Sequence, residues 1–125
     1  MSNPVIYIIL NGELKMSSGK AAAQAVHAAM LLENNYSGSF TMSPRRTVIV
    51  LEADSAEQIK NLHEYLQHHN IFSEYYIDEG VNEVGAYSVT ALAVEPIDSE
   101  DVHKRSIFAS LHLFNSEKYR KWFRK

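Results

Sequence analysis

The sequence predicts an α/β domain with the element order β-α-β-α-β-β-α, and two observations carry that expectation. Val5-Ile6-Tyr7-Ile8-Ile9-Leu10 is too uniformly apolar for a strand with one wet face, so it reads as a strand covered on both sides, as strands of parallel sheets are. Stretches of helical periodicity then alternate with further β-branched runs, the pattern of crossover connections between parallel strands. Each such crossover is right-handed by rule, so strands one to three should point the same way and line one edge of the sheet with their carboxyl ends. Ligands of open α/β sheets bind at that edge.

The first helix is the element around which the rest is placed. It follows the first strand and a loop, within residues 14–30. Ser17 or Ser18 can cap it, Gly19 lets a ligand approach its first turn, and Lys20 stands beside N–H groups that lack partners within the helix. A lysine in this place works against the helix macrodipole, and a bound anion would remove the conflict. Lys20, Gln24 and His27 fall at i, i+4 and i+7, forming a polar stripe on an alanine-rich helix. His27 lies about two turns, on the order of 10 Å, from the helix start. It reads as packing on the sheet. Gly19-Lys20 after a strand also invites comparison with a phosphate loop, but that pattern needs glycine in place of Leu14 and serine or threonine in place of Ala21. A nucleotide-dependent enzyme is excluded on this ground.

The helix should stop near Asn34-Asn35, followed by an exposed connection over residues 36–46 that ends in Arg45 and Arg46. Residues 47–51 form a second buried strand. Ser55-Ala56-Glu57-Gln58 is a capping box, and Ile59, Leu62 and Leu66 are the apolar stripe of a helix running to about His69. Residues 71–77 read as a third strand and 87–94 as a fourth, with Val89, Ala91 and Ala93 on one face. Pro96 and Asp98-Ser99 are expected to open a third helix, and Ser116 a short basic one with Tyr119, Trp122 and Phe123. Asp78 ends strand three at the carboxyl edge, and Lys20 begins the helix that leaves strand one there. If strand four returns antiparallel, Ser88 and Thr90 join them, so that a lysine, a carboxylate, an amide and a hydroxyl converge from distant segments.

Composition bounds the function. The 125 residues, 46% of them hydrophobic, allow one domain with one core and show no repeat, linker or low-complexity tract. No run approaches a membrane span, and the start Met1-Ser2-Asn3-Pro4 lacks the features of a signal peptide, so the expected location is the cytoplasm. With no cysteine there are no disulfides, thiolate metal sites or cysteine nucleophiles. The six histidines show no convincing metal-ligand spacing, and His63, His68 and His69 sit on a helix whose exposed face would normally hold such residues. No metal is expected. Charge is unevenly spread: residues 104–125 hold seven basic side chains against Glu117, whereas residues 1–103 hold five against fourteen acids. A basic end on an acidic body hints at a polyanionic partner.

Two groups of residues resemble a known family. Leu14-Lys15-Met16, Gly19-Lys20, Ala22-Ala23-Gln24 and His27-Ala28 are similar to one signature of the peptidyl-tRNA hydrolase II family. Asp78-Glu79-Gly80-Val81-Asn82-Glu83-Val84 and Thr90-Ala91-Leu92-Ala93-Val94-Glu95-Pro96 resemble a second, with the spacing preserved, and the match spans roughly residues 4–114. The resemblance implies a three-layer α/β/α domain with a mixed four-stranded sheet that hydrolyses the ester of peptidyl-tRNA without metal or cofactor. By position Lys20, Asp78 and Thr90 match the family's proposed catalytic residues, with Gln24 beside them. The family usually has alanine in place of Glu79, threonine in place of Asn82 and Pro-Gly in place of Ala86-Tyr87. The basic segment from about residue 115 extends past the matched region.

Ester hydrolysis needs an activated water and a stabiliser for the developing oxyanion. Asp78 is the candidate to orient or deprotonate water, Lys20 with the helix N-terminus to hold the oxyanion or a terminal phosphate, and Thr90 to donate or relay a hydrogen bond. Gly19, Gln24, Asn82, Ser88, Arg45 and Arg46 are the candidate substrate-binding residues, Asn82 standing in for a threonine hydroxyl. Peptidyl-tRNA is the expected partner, no membrane is involved, and a homodimer is left open. The competing reading is a non-catalytic RNA-binding or interaction protein that keeps the fold, motivated by the substituted loop after Asp78.

Overall fold

The computed structural model describes residues 4–36, 46–79 and 88–114. Strand β1 spans Pro4–Asn11, helix α1 Ser18–Asn35, strand β2 Thr47–Ala53 and helix α2 Ala56–His68. Strands β3 (Ser73–Asp78), β4 (Ser88–Val94) and β5 (Ile97–Asp98), helix α3 (Val102–Ser106) and strand β6 (His112–Leu113) follow. The strands lie in the order β3-β4-β1-β2-β6, with β5 paired to β1. β1 and β2 are parallel from Val5↔Thr47 to Asn11↔Ala53. β4 is antiparallel to both β1 and β3. Strands β1, β2 and β3 therefore run the same way, and their carboxyl ends share an edge with the amino end of β4. No helix among the described residues is long and apolar enough to cross a membrane.

Among the described residues the sheet has six strands, not the four expected. β5 and β6 are two residues each, too short to leave a periodic pattern, and they extend the sheet by pairing with Pro4–Val5 and with Leu51 and Glu52. The third helix also opens later than Pro96 and Asp98-Ser99. Ile97 and Asp98 are spent on β5, the Asp98 carboxylate accepts from the Glu100 N–H at 3.0 Å, and Asp101 is the cap, accepting from the Lys104 N–H at 3.1 Å. The basic helix expected at Ser116 lies outside the described residues.

β1 is buried on both faces, as its composition requires. Val5, Tyr7 and Ile9 pack with Leu51, Ile59 and Leu66 on the side of α2, whereas Ile6, Ile8 and Leu10 pack with Ala21, Ala28 and Leu32 of α1. Each fully buried aliphatic side chain contributes roughly 1.5–3 kcal/mol. The ends of α2 are set locally. Ser55 accepts from the Gln58 N–H at 3.1 Å, and the Gln58 side chain reaches the Asp54 N–H at 2.6 Å, one residue short of the reciprocal bond of a capping box. At the other end Asn70 turns left-handed (φ 57°), and Ile71 N–H bonds the Leu66 carbonyl at 2.9 Å. Tyr36, just past α1, donates its hydroxyl to Glu95 at 2.9 Å, and the same carboxylate accepts from the Phe72 N–H at 2.6 Å. Burial, then the hydrogen bond and charge of Glu95, push the Tyr36 phenol above its ordinary range.

Strand β4 departs from simple alternation in a way that matters for function. Tyr76 pairs with Ala91, but Ile77 pairs with Val89, so Thr90 is an extra residue in β4. Val89 consequently faces the α2 side with Leu92 and Val94, while Ala91 and Ala93 face α1. Val89, Ala91 and Ala93 do not share one face, because the expectation assumed an unbroken register. Without the bulge, Thr90 would fall on the face of Leu92 and Val94; with it, Thr90 turns toward α1.

Candidate active site

Ser17, not Ser18, caps α1, its hydroxyl accepting from the Lys20 N–H at 3.3 Å. This places Lys20 third in the helix, with its side chain turned across the carboxyl edge of the sheet. Its Nζ stands 3.0 Å from Asp78 Oδ2, and the two side chains retain 17% and 11% of their exposure. The anion that offsets an unfavourable lysine at a helix start is thus supplied by the last residue of β3. One turn further, Gln24 is buried and its Oε1 accepts from the Thr90 hydroxyl at 2.7 Å, with the Tyr76 carbonyl a longer second acceptor at 3.5 Å. Another turn on, the His27 ring stacks on Tyr76 at 4.7 Å and 10°. The polar stripe of α1 faces β3 and β4 throughout, as Lys20 with Asp78, Gln24 with Thr90, and His27 with Tyr76.

Thr90 is fully buried, so its hydroxyl acts on Gln24 and not on open space. Ser88 is paired in register with Asp78 and is half-buried. Gly19 lies where an added Cβ would meet nothing within 4 Å, leaving open space beside the first turn of α1. Gly12 is the opposite case. A Cβ there would come within 2.6 Å of Glu52 Cγ and 2.8 Å of the Ala53 carbonyl, so only glycine lets the β1–α1 connection cross the end of β2. Arg46 precedes the amino end of β2 and is separated by the length of that strand, on the order of 20 Å, from the edge that holds Lys20 and Asp78. Asn82 and Arg45 lie outside the described residues, and Glu79 is exposed. Among the described residues no three His, Asp or Glu side chains converge.

One residue escaped the sequence reading. Asn11 ends β1, is buried, and its amide donates to the Val89 carbonyl at 2.9 Å, while its Oδ1 accepts from the Glu13 N–H at 3.0 Å. The β1–β4 ladder reaches only Leu10↔Ala91, and the Asn11 side chain takes over where the bulge interrupts it. The available signal was an amide closing a six-residue apolar run, a place where a buried polar group must find a partner.

A family model described as peptidyl-tRNA hydrolase PTH2 matches residues 5–114. The chain belongs to this family. Proteins named peptidyl-tRNA hydrolase from three organisms are similar along most of their length. The one from Pyrobaculum aerophilum is 34% identical, covering 86% of this chain and 94% of its own. Those from Methanopyrus kandleri and Methanothermobacter thermautotrophicus are 29% and 28% identical, each over 78% of this chain and 88% and 89% of theirs. The first signature lies on the β1–α1 connection and α1; of the second, Asp78 ends β3 and residues 90–94 lie on β4, while residues 80–84 are outside the described residues. The Lys20–Asp78 and Gln24–Thr90 contacts join the two.

Proposed function

We propose that the protein hydrolyses the ester joining a peptide to the terminal ribose of tRNA, with the reaction centred on Lys20 and Asp78. The observation that carries this reading is the 3.0 Å Lys20–Asp78 pair at the carboxyl edge of the sheet, one helical turn from the Gln24–Thr90 hydrogen bond. Asp78 orients a water and takes up its proton as the oxygen attacks the ester carbonyl. Lys20, with the first N–H groups of α1, stabilises the charge on the carbonyl oxygen. The bond from the carbonyl carbon to the ribose oxygen then breaks, the ribose oxygen takes the proton that Asp78 removed from water, and free tRNA and peptide leave. Thr90 is a positioning residue that holds Gln24 against the sheet. Gly19 leaves room for the acceptor end, Ser88 stands opposite Asp78 on β4, and Asn82 serves as a hydrogen-bond donor to the substrate. Arg45, Arg46 and the basic segment from about residue 115 bind the tRNA phosphates, Arg46 from the far end of β2.

The architecture that fits this reading is the three-layer α/β/α arrangement, with a helix on each face of the four longer strands, acting in the cytoplasm where peptidyl-tRNA is released. Incubation of the purified protein with labelled peptidyl-tRNA tests it. Release of peptide and tRNA is expected. Binding without release would assign the chain to RNA binding and overturn the catalytic reading.

A further inference from the structure

We propose that the outer edge of β3 is the track for the peptide portion of the substrate, which lies along it as an added strand. The inference rests on the hydrolase reading and assigns a subsite to it. β3 stands at the end of the strand order and, among the described residues, pairs only with β4. It runs directly into the reaction centre, because its last residue is Asp78. Its sequence Ser73-Glu74-Tyr75-Tyr76-Ile77-Asp78 contains neither the proline nor the lysine with which sheet edges are commonly guarded. The strand is also held rigid from both sides. Tyr76 stacks on His27 of α1, and Tyr75 meets His63 of α2 edge-on at 5.1 Å.

The chemistry of the substrate fits such an edge. The ester is at the carboxyl end of the peptide, and the feature shared by peptides of every sequence is the backbone, which an edge strand recognises through main-chain hydrogen bonds. A peptide with its carboxyl end at Asp78 and its amino end toward Ser73 runs parallel to β3. Six residues at ~3.3 Å each give a track of about 20 Å, enough for about six residues of peptide. A second copy of the chain paired through β3 across a two-fold axis would occupy the same edge, and only the peptide accounts for the edge ending at the reacting group.

The test uses the full chain and a series of peptidyl-tRNAs with one C-terminal residue in common and one to eight residues of peptide. kcat/KM should rise roughly tenfold or more with length and level off near six residues. N-methylation of alternate peptide residues should abolish the gain in one set and spare it in the other, since in a parallel ladder alternate residues direct their groups to one neighbour. Equal kcat/KM at all lengths, or equal effects of both methylated sets, would overturn the track and leave the hydrolase reading intact. So would inhibition that tracks dimer formation by sedimentation at assay concentrations, which would give the edge to a second copy. No turnover with any substrate would overturn both.

Discussion

Replacing both members of the Lys20–Asp78 pair at once separates a catalytic role from a structural one. Each side chain is mostly withdrawn from water, so Lys20→Met or Asp78→Asn alone leaves one charge poorly compensated. A fully buried pair loses about 3–5 kcal/mol on such a change. The 17% and 11% exposure that remains lets water screen the survivor, which lowers the expectation to about 1–3 kcal/mol. For a domain of this size that is a fall in Tm of roughly 4–12 °C. The double variant removes the isolated charge and should be more stable than the sum of the single changes by about 0.5–3 kcal/mol. Activity should behave differently. Loss of a group that stabilises or activates reacting atoms costs on the order of 10²–10³ in rate, and the double variant should regain none of it. Thermal melts paired with single-turnover hydrolysis of peptidyl-tRNA read the two quantities on the same samples. Recovery of activity together with stability in the double variant would refute the assignment and make the pair a structural clasp.

Gly19→Ala should raise stability by up to ~1 kcal/mol, because helix formers replace glycine favourably and the added methyl has open space, yet lower kcat/KM if the acceptor end approaches there; melts and kinetics check both signs. Thr90→Val leaves the buried Gln24 oxygen without its donor and should cost about 1–3 kcal/mol in denaturant unfolding. Asn11→Ala should lower kcat with little change in KM, since it releases the Val89 carbonyl at the bulge and touches no open space; an unaltered kcat would dismiss its positioning role. Binding of tRNA should weaken steeply with salt, and substituting Lys118, Arg120, Lys121, Arg124 and Lys125 by glutamine should flatten the slope measured by filter binding.

What could be read from the residues was what burial and local geometry dictate. An apolar run without alternation required two covered faces, and β1 has them. The spacing of Lys20, Gln24 and His27 required one face, and the direction rule for crossovers brought Asp78 to Lys20. The bulge at Thr90 was not legible, since period-two alternation is defined only for an unbroken register and the partner that secures this one, Asn11, is 78 residues from Val89. β5 and β6 were hidden for a related reason. Two residues have no period, and their pairing is decided by strands already in place.

The position of β4 between β1 and β3 has a temporal meaning. During synthesis β1 and α1 emerge first and β3 follows, but β3 has no neighbour in the sheet until residues 88–94 arrive to separate it from β1. Lys20, Gln24 and Asp78 are all made before the strand that brings them into register exists. Closure of this centre is therefore a long-range event, late in the growth of the chain, and a ribosome that stalls before residue 94 holds a nascent protein in which Lys20 and Asp78 are made but not yet brought together.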